Sequence, residues 1–320
     1  MAKINSRGLY IADPHFTDSS IPNRKDDFLE SLSSKFQNAL EIARDKELDY
    51  FVILGDLFHS PDPSGTVRNR VINILLSGND SKRWPFDIFL TIGNHDIFGH
   101  NIKTIDKTAI KTLEAVNLIK ICDKSDKYGI HFGHYKHNIE NEKIDVDSPI
   151  IAIHANIVPN NFYNSVLIED FHVNEKNRVV ISGHYHPGYN LISHNEVYFA
   201  NPGSFGRIST TDSKHEIQAC IIELKNNDLE NIEYIPIPNA KKSNFVFDLE
   251  VIQEKKINKI EIKDFINTIN EAKIVISNES DVIQMIKDFG EASKIDEKIV
   301  NEAIKRVNNQ KPMEENNEWI

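Results

Sequence analysis

Only two cysteines, Cys122 and Cys220, occur in the 320 residues of the chain. They lie far apart and match no metal or redox spacing, so they read as ordinary buried thiols of a reducing compartment. The N-terminal segment MAKINSRGLYIADPHF contains no long apolar run, so no secretory leader is expected there. Nowhere does the sequence approach the roughly 20 apolar residues of a membrane-spanning helix. No membrane partner is expected, and the cytoplasm is the expected location. Positive charge is also in deficit: 37 Lys and Arg face 48 Asp and Glu, a net charge of -11. This balance argues against a broad basic face that coats nucleic acid. It does not exclude a phosphodiester substrate, because carboxylates that hold cations are neutralised and a polyanion can be gripped locally.

What is present is enough apolar material, 40% of residues, to fill a real core. The length allows one large domain, or a large one and a small one. Short apolar runs at Gly8–Ala12, Tyr50–Leu54, Phe86–Ile92, Ile150–His154, Val179–Ser182 and Val197–Ala200 are rich in Val, Ile and Phe and read as buried strands. Between the first two, Phe28, Leu32, Phe36, Ala39, Leu40 and Ala43 recur at helical spacing, and Asp26 and Asp27 favour the start of that helix. Alternating strands and helices predict an α/β sheet. After Gly203 the pattern changes to two consecutive strands, Ala219–Leu224 and Ile232–Ile237, and a second sheet packed on the first is expected. The stretch from Pro236 to Lys242 reads as a linker. Beyond it a strand is expected over Phe245–Val251, then helical segments at Thr268–Ala272, Asp281–Phe289 and Ile295–Val307, and a polar tail over Asn308–Ile320.

Five short motifs fall at the ends of predicted strands. They are Asp13 and His15, Gly55 and Asp56, Gly93 to Asp96, His154, and Gly183 to His186. Loops at the carboxyl ends of strands in an open α/β sheet converge on one crevice, so these distant groups can meet. Side chains two apart on an extended segment point the same way. Asp13 with His15, and His184 with His186, can therefore each present two ligands. Carboxylate, imidazole and amide oxygen together suit manganese, iron or zinc rather than a thiol-seeking metal. Two such cations, about 3.5–4 Å apart, serve in-line displacement at phosphorus. A lone Asp-x-His proves little, and a lone His154 on an apolar strand is more often a core residue. All five motifs, in order, outweigh that bland alternative.

These motifs resemble those of the calcineurin-like metallophosphoesterase superfamily over roughly residues 7 to 210. The resemblance implies an α/β fold, a four-layer sandwich of two mixed sheets flanked by helices. It implies that Asp13, His15, Asp56 and His186 hold one metal. Asp56, Asn94, His154 and His184 would hold the other, with Asp56 as the bridge. Manganese leads, with iron, zinc or magnesium as other candidates. His95 would face the phosphate, stabilise its charge and protonate the leaving oxygen, while Asp96 would keep the His95 ring aligned. More narrowly, Gly55–His59 with Pro63 and Ser64, the helix Phe36–Ala43, and Asn201–Arg207 are similar to the SbcD-type DNA repair nucleases. That resemblance gives His59 a part in handling the DNA strand. It implies a catalytic domain over 1–240, a small α+β cap over 241–290, and a C-terminal helix and tail over 291–320. An SbcC-type ABC ATPase partner, docked on residues 281 to 307, a homodimer and a bacterial or phage-infected cell follow from it as expectations. The alternative is a phosphoesterase of the same superfamily acting on nucleotides or phosphoproteins.

Other residues carry weaker signals. His131, His134 and His137 form a sequence cluster expected on a surface strand and turn, not at a third metal. Tyr185 is expected to pack on the rim, and Lys241 and Lys242 to be solvated. Arg207 stands equally between a phosphate contact and a structural ion pair.

Overall fold

The computed structural model of the chain describes residues 3–78, 83–135, 144, 146–160, 165–209, 212, 215–251, 279–292 and 295–309. The chain divides into two units, Met1–Asp248 and Leu249–Ile320.

The first unit contains two mixed β-sheets. Strands β1 (Ser6–Ile11), β2 (Tyr50–Ile53) and β3 (Asp87–Leu90) run parallel and adjacent in the first sheet, with β3 at its edge. The second sheet contains β4 (Lys124–Ser125), β5 (Ile130–Gly133), β6 (Ile150–His154), β9 (Val179–Gly183), β10 (Tyr189–His194) and β11 (Val197–Asn201). Its order is β10-β11-β9-β6-β5-β4, with β5, β6, β9 and β11 parallel. Strands β12 (Gln218–Lys225) and β13 (Asp228–Pro236) return to the first sheet, where β12 pairs antiparallel with β1. The two late strands thus extend the first sheet instead of forming the second. Cross-chain pairing decides this, and no local pattern encodes it.

Alternation along the strands sorts the core. Leu9 and Ile11 of β1, with Phe51 and Ile53 of β2, face the helices, whereas Tyr10, Tyr50 and Val52 face the other sheet. Helix α1 (Phe28–Asp45) lays Phe28, Leu32, Phe36, Ala39, Leu40 and Ala43 on the first sheet. It begins where the Asp27 carboxylate accepts from the Glu30 N–H at 2.9 Å. Asp26 instead accepts from Arg24 at 2.8 Å. Helix α2 (Gly65–Leu75) is capped by Ser64, and α3 (Ala109–Ala115) completes that layer. On the outer face of the second sheet, Ile151, Ile153, Val180 and Phe199 are covered by Ile157, Val166, Ile168 and Phe171. Among the described residues this cover is the two-stranded pair β7 (Ile157–Val158) and β8 (Val166–Leu167) with one turn of 3-10 helix, not an α-helix.

The region after Pro236 departs from expectation. Residues Ser243–Val246 form one helical turn instead of a strand. Val246 and Phe247 are buried, and the Arg24 guanidinium lies 5.4 Å from the Phe247 ring centre, within the first unit, which runs to Asp248. Most of the expected cap, with its helix at Thr268–Ala272, and the tail over 310–320 lie outside the described residues. In the second unit, helices Glu279–Ala292 and Glu297–Asn309 share a small core of Ile286, Val300 and Ala303.

Phe36 stands edge-on to Phe16 and Phe51, with ring centres 5.4 and 6.0 Å away, and is fully buried. Phe36→Ala is expected to lower unfolding stability by about 3–5 kcal/mol in urea titration. A loss below about 1 kcal/mol would show that this ring does not carry the helix–sheet contact.

Candidate metal centre

The five motifs emerge from the carboxyl ends of β1, β2, β3, β6 and β9 and converge. Three groups form, Asp13 with His15 and His186, Asp56 with His154 and His184, and His15 with His59 and His95, each with ligand-type atoms within 4.8 Å of one another. The first two each contain a carboxylate. Asp56 lies between those two: its Oδ2 is 3.5 Å from His15 Nε2 and 3.6 Å from His154 Nε2. Asn94 Oδ1 lies 3.0 Å from His154 Nε2. All seven residues named from the sequence as ligands therefore surround one place.

Backbone geometry brings them there. Asp13, His15, Asp56 and His184 have φ of 50°, 54°, 51° and 78°, in the left-handed region that non-glycine residues seldom enter. Backbone contacts hold these turns. The His184 N–H donates to Asp13 Oδ2 at 2.9 Å, and the His95 N–H donates to Asp56 Oδ1 at 2.8 Å. Glycine is required for space: a Cβ on Gly55 would run into the His154 ring, one on Gly93 into the Asp56 carboxylate, and one on Gly183 into the Leu54 carbonyl.

The imidazoles are set by their second nitrogens. His154 Nδ1 lies 2.7 Å from the Leu54 carbonyl, which can only accept, so this nitrogen carries the proton and Nε2 keeps a lone pair. His184 Nδ1 lies 3.2 Å from that Nε2, and His15 Nε2 lies 3.2 Å from His186 Nε2. Burial, with the Asp56 charge beside it, pushes the Asp13 carboxyl up to about 8. Burial also raises Asp56 and drives His154 and His184 down to about 3. Burial opposes charge on His186 as well, but the carboxylates of Asp212, Asp13 and Asp56 more than offset it and raise the ring to about 9. Buried carboxylates against inward-facing nitrogen lone pairs need positive charge between them. His15 Nδ1 is also buried without a hydrogen-bond partner. The donor set fits divalent cations, with Asp56 placed to serve both groups.

The other sequence candidates divide. His59 and His95 stack with ring centres 5.1 Å apart, and both adjoin His15, at 5.4 and 4.8 Å. His95 Nδ1 lies 3.0 Å from the His59 carbonyl, so this carbonyl aligns the ring. That corrects the role expected for Asp96, which is fully buried and accepts from the N–H groups of Asp56 at 2.8 Å and Gly93 at 2.9 Å. Asp96 ties two motif loops together from beneath. Arg207 takes neither alternative: its buried guanidinium donates to the backbone carbonyls of Lys241, at 2.8 Å, and His215. His134 Nδ1 accepts from the Ile92 N–H at 3.0 Å, His131 lies on β5, and His137 lies outside the described residues. Tyr185 packs beside Tyr189, and Lys241 and Lys242 are exposed.

Two residues escaped the sequence reading. Asp212, buried, places Oδ2 3.4 Å from His186 Nδ1 and turns that ring so that Nε2 faces the centre. It sits among Ser and Thr with no recognisable spacing. Tyr135 follows β5 and lies 5.9 Å, ring to ring, from His184 and 6.1 Å from His154. Its place at the carboxyl end of a parallel strand was the available signal.

Such a fold and such a cluster define a metal-dependent hydrolase of phosphate esters. The calcineurin-like phosphoesterase family matches residues 7–188, more than half of the 320, and the chain belongs to that family. Solved structures similar to it include a novel archaeal phosphodiesterase, with 14% identity and a TM-score of 0.37 over 72% of this chain and 99% of that one. A dimetal phosphatase from Danio rerio has 12% identity and a TM-score of 0.41 over 72% and 99%. A protein from Thermus thermophilus has 11% identity and a TM-score of 0.43 over 73% and 99%. No curated protein matches the chain. Among the described residues no helix is long and apolar enough to cross a membrane.

Asp212→Asn is expected to weaken manganese binding, followed by isothermal titration, by about 10–100-fold. In a His186→Ala background the same change should add little. Independent, additive losses would show that Asp212 does not act through His186.

Proposed function

We propose that the chain is a two-metal DNA nuclease that hydrolyses phosphodiester bonds in repair, recombination or replication. The observation that carries this reading is the stacked pair of His59 and His95 beside His15, a second imidazole added to the one expected to face phosphate. Bound divalent cations, manganese first among them, supply polarisation of the phosphoryl oxygens and lower the pKa of water at the site. The protein's own groups do the rest. Asp13, His15, Asp56, Asn94, His154, His184 and His186 hold the cations. His95, with Nδ1 donating to the His59 carbonyl, keeps Nε2 for proton transfer to the leaving sugar oxygen. His59, half-buried next to it, steers the strand. The packing of two motif loops on Asp96 keeps His95 and Asp56 in register.

As part of the same proposal, the chain acts as the nuclease subunit beside an SbcC-type ABC ATPase. The helical region 281 to 307 is the docking element, and the chain pairs as a homodimer in the cytoplasm. Sedimentation of the purified chain should give twice 36.7 kDa, and a monomer at micromolar concentration would remove the dimer from the reading.

The decisive assay is manganese-dependent digestion of end-labelled linear duplex DNA, with small phosphate esters as controls. Asp56→Ala should lose both metal and cleavage. His95→Ala should keep its metal and lose about 100-fold or more in turnover. Hydrolysis of nucleotides or phosphoproteins with no cleavage of DNA would transfer the site to the alternative within the same family.

A further inference from the structure

The side of the centre formed by His154 and His184 carries an aromatic group that the metal chemistry does not use. Tyr135 is held at its backbone, where its N–H donates to the Ile92 carbonyl at 2.8 Å. Its ring is only partly buried and lies tilted by 47° against His184 and by 67° against His154. His100 meets it edge-on from the other direction, with ring centres 5.7 Å apart and planes at 76°. His100 belongs to the loop that leaves the Asn94–Asp96 motif, and the same loop carries Phe98, 41% exposed. This loop is built, not slack. Gly99 and His100 have φ of 56° and 55°, and the Phe98 N–H donates to Thr104 Oγ1 at 2.9 Å.

We infer that Tyr135, with His100 edge-on to it, forms a stacking subsite for the nucleobase that flanks the scissile phosphate. The inference rests on the nuclease reading and names how that site takes hold of a nucleotide. Three points favour a base over another group. The subsite adjoins ligands of one metal cluster, so whatever occupies it is attached close to the phosphorus. Every nucleobase offers a π-face, so stacking works without regard to sequence. The chain's charge of -11 leaves little general attraction for a phosphate backbone, so part of the grip has to come from contacts insensitive to charge.

The plain competing role is that Tyr135 only buttresses His154 and His184. Two variants and two substrates separate the readings. Tyr135→Leu keeps apolar bulk and removes the aromatic face, whereas Tyr135→Phe keeps it. Single-stranded oligonucleotides are prepared with one labile linkage, flanked either by a normal base or by an abasic residue. With manganese-loaded protein, Tyr135→Leu should lower kcat/KM on the base-bearing substrate by about tenfold or more, chiefly through KM. It should leave the abasic substrate unchanged, and Tyr135→Phe should behave as the unaltered protein does. A 2-aminopurine at the flanking position should lose fluorescence on binding to the unaltered protein and not to Tyr135→Leu. Equal losses on both substrates, or none on either, would overturn the subsite and leave the nuclease reading standing. Cleavage of neither oligonucleotide by the unaltered protein, while a small phosphodiester is hydrolysed, would end the nuclease reading and the subsite with it.

Discussion

Two buried carboxylates govern this molecule. Asp13 and Asp56 have been withdrawn from water and set among imidazoles whose free nitrogens point inward. Neither group is stable there as an isolated charge. Four residues of the cluster sit in left-handed backbone, at a cost of order 1 kcal/mol each. The compensation lies in the surroundings: backbone N–H groups on both carboxylates, carbonyls on the outer nitrogens of His154 and His95, and Asp96 binding two loops from below. Such a constellation is pre-formed for positive charge, so the protein bears the strain as it folds, not when it captures ions.

The two sheets contribute to this centre unequally but jointly. Asp13, His15, Asp56 and Asn94 come from the strand ends of the first sheet, and His154, His184 and His186 from those of the second. Their separation is therefore set by the aromatic and aliphatic layer between the sheets, in which Tyr10, Tyr50, Phe89 and Phe132 are buried. The hydroxyls of Tyr10 and Tyr50 meet at 2.9 Å in that layer, which satisfies two polar groups without water. A repacking there would alter the spacing between clusters without touching a ligand.

Much of this was legible in the sequence. Most of the parallel strands, and α1, announced themselves through their apolar runs and local periodicity, and the ligand motifs through their place at strand ends. The rest was written in longer-range terms. β5 is short and carries His131, and β10 is largely exposed, so neither shows a buried strand's pattern. The return of β12 to β1 depends on pairing across more than 200 residues of chain. Asp96 looked like a partner for its neighbour His95 because adjacency in sequence suggests contact. Its actual partners are backbone N–H groups, which no residue type advertises. Asp212 and Tyr135 carry no spacing of their own, and their roles exist only once the loops have met.

The antiparallel pairing of β12 with β1 also sets an order of events during synthesis. The Asp13 loop leaves β1, and β1 lacks its outer neighbour until residue 225 has been made. His184 and His186, which complete the cluster, are likewise translated long after Asp13. A chain still on the ribosome therefore lacks part of the ligand set until residue 186 has been made.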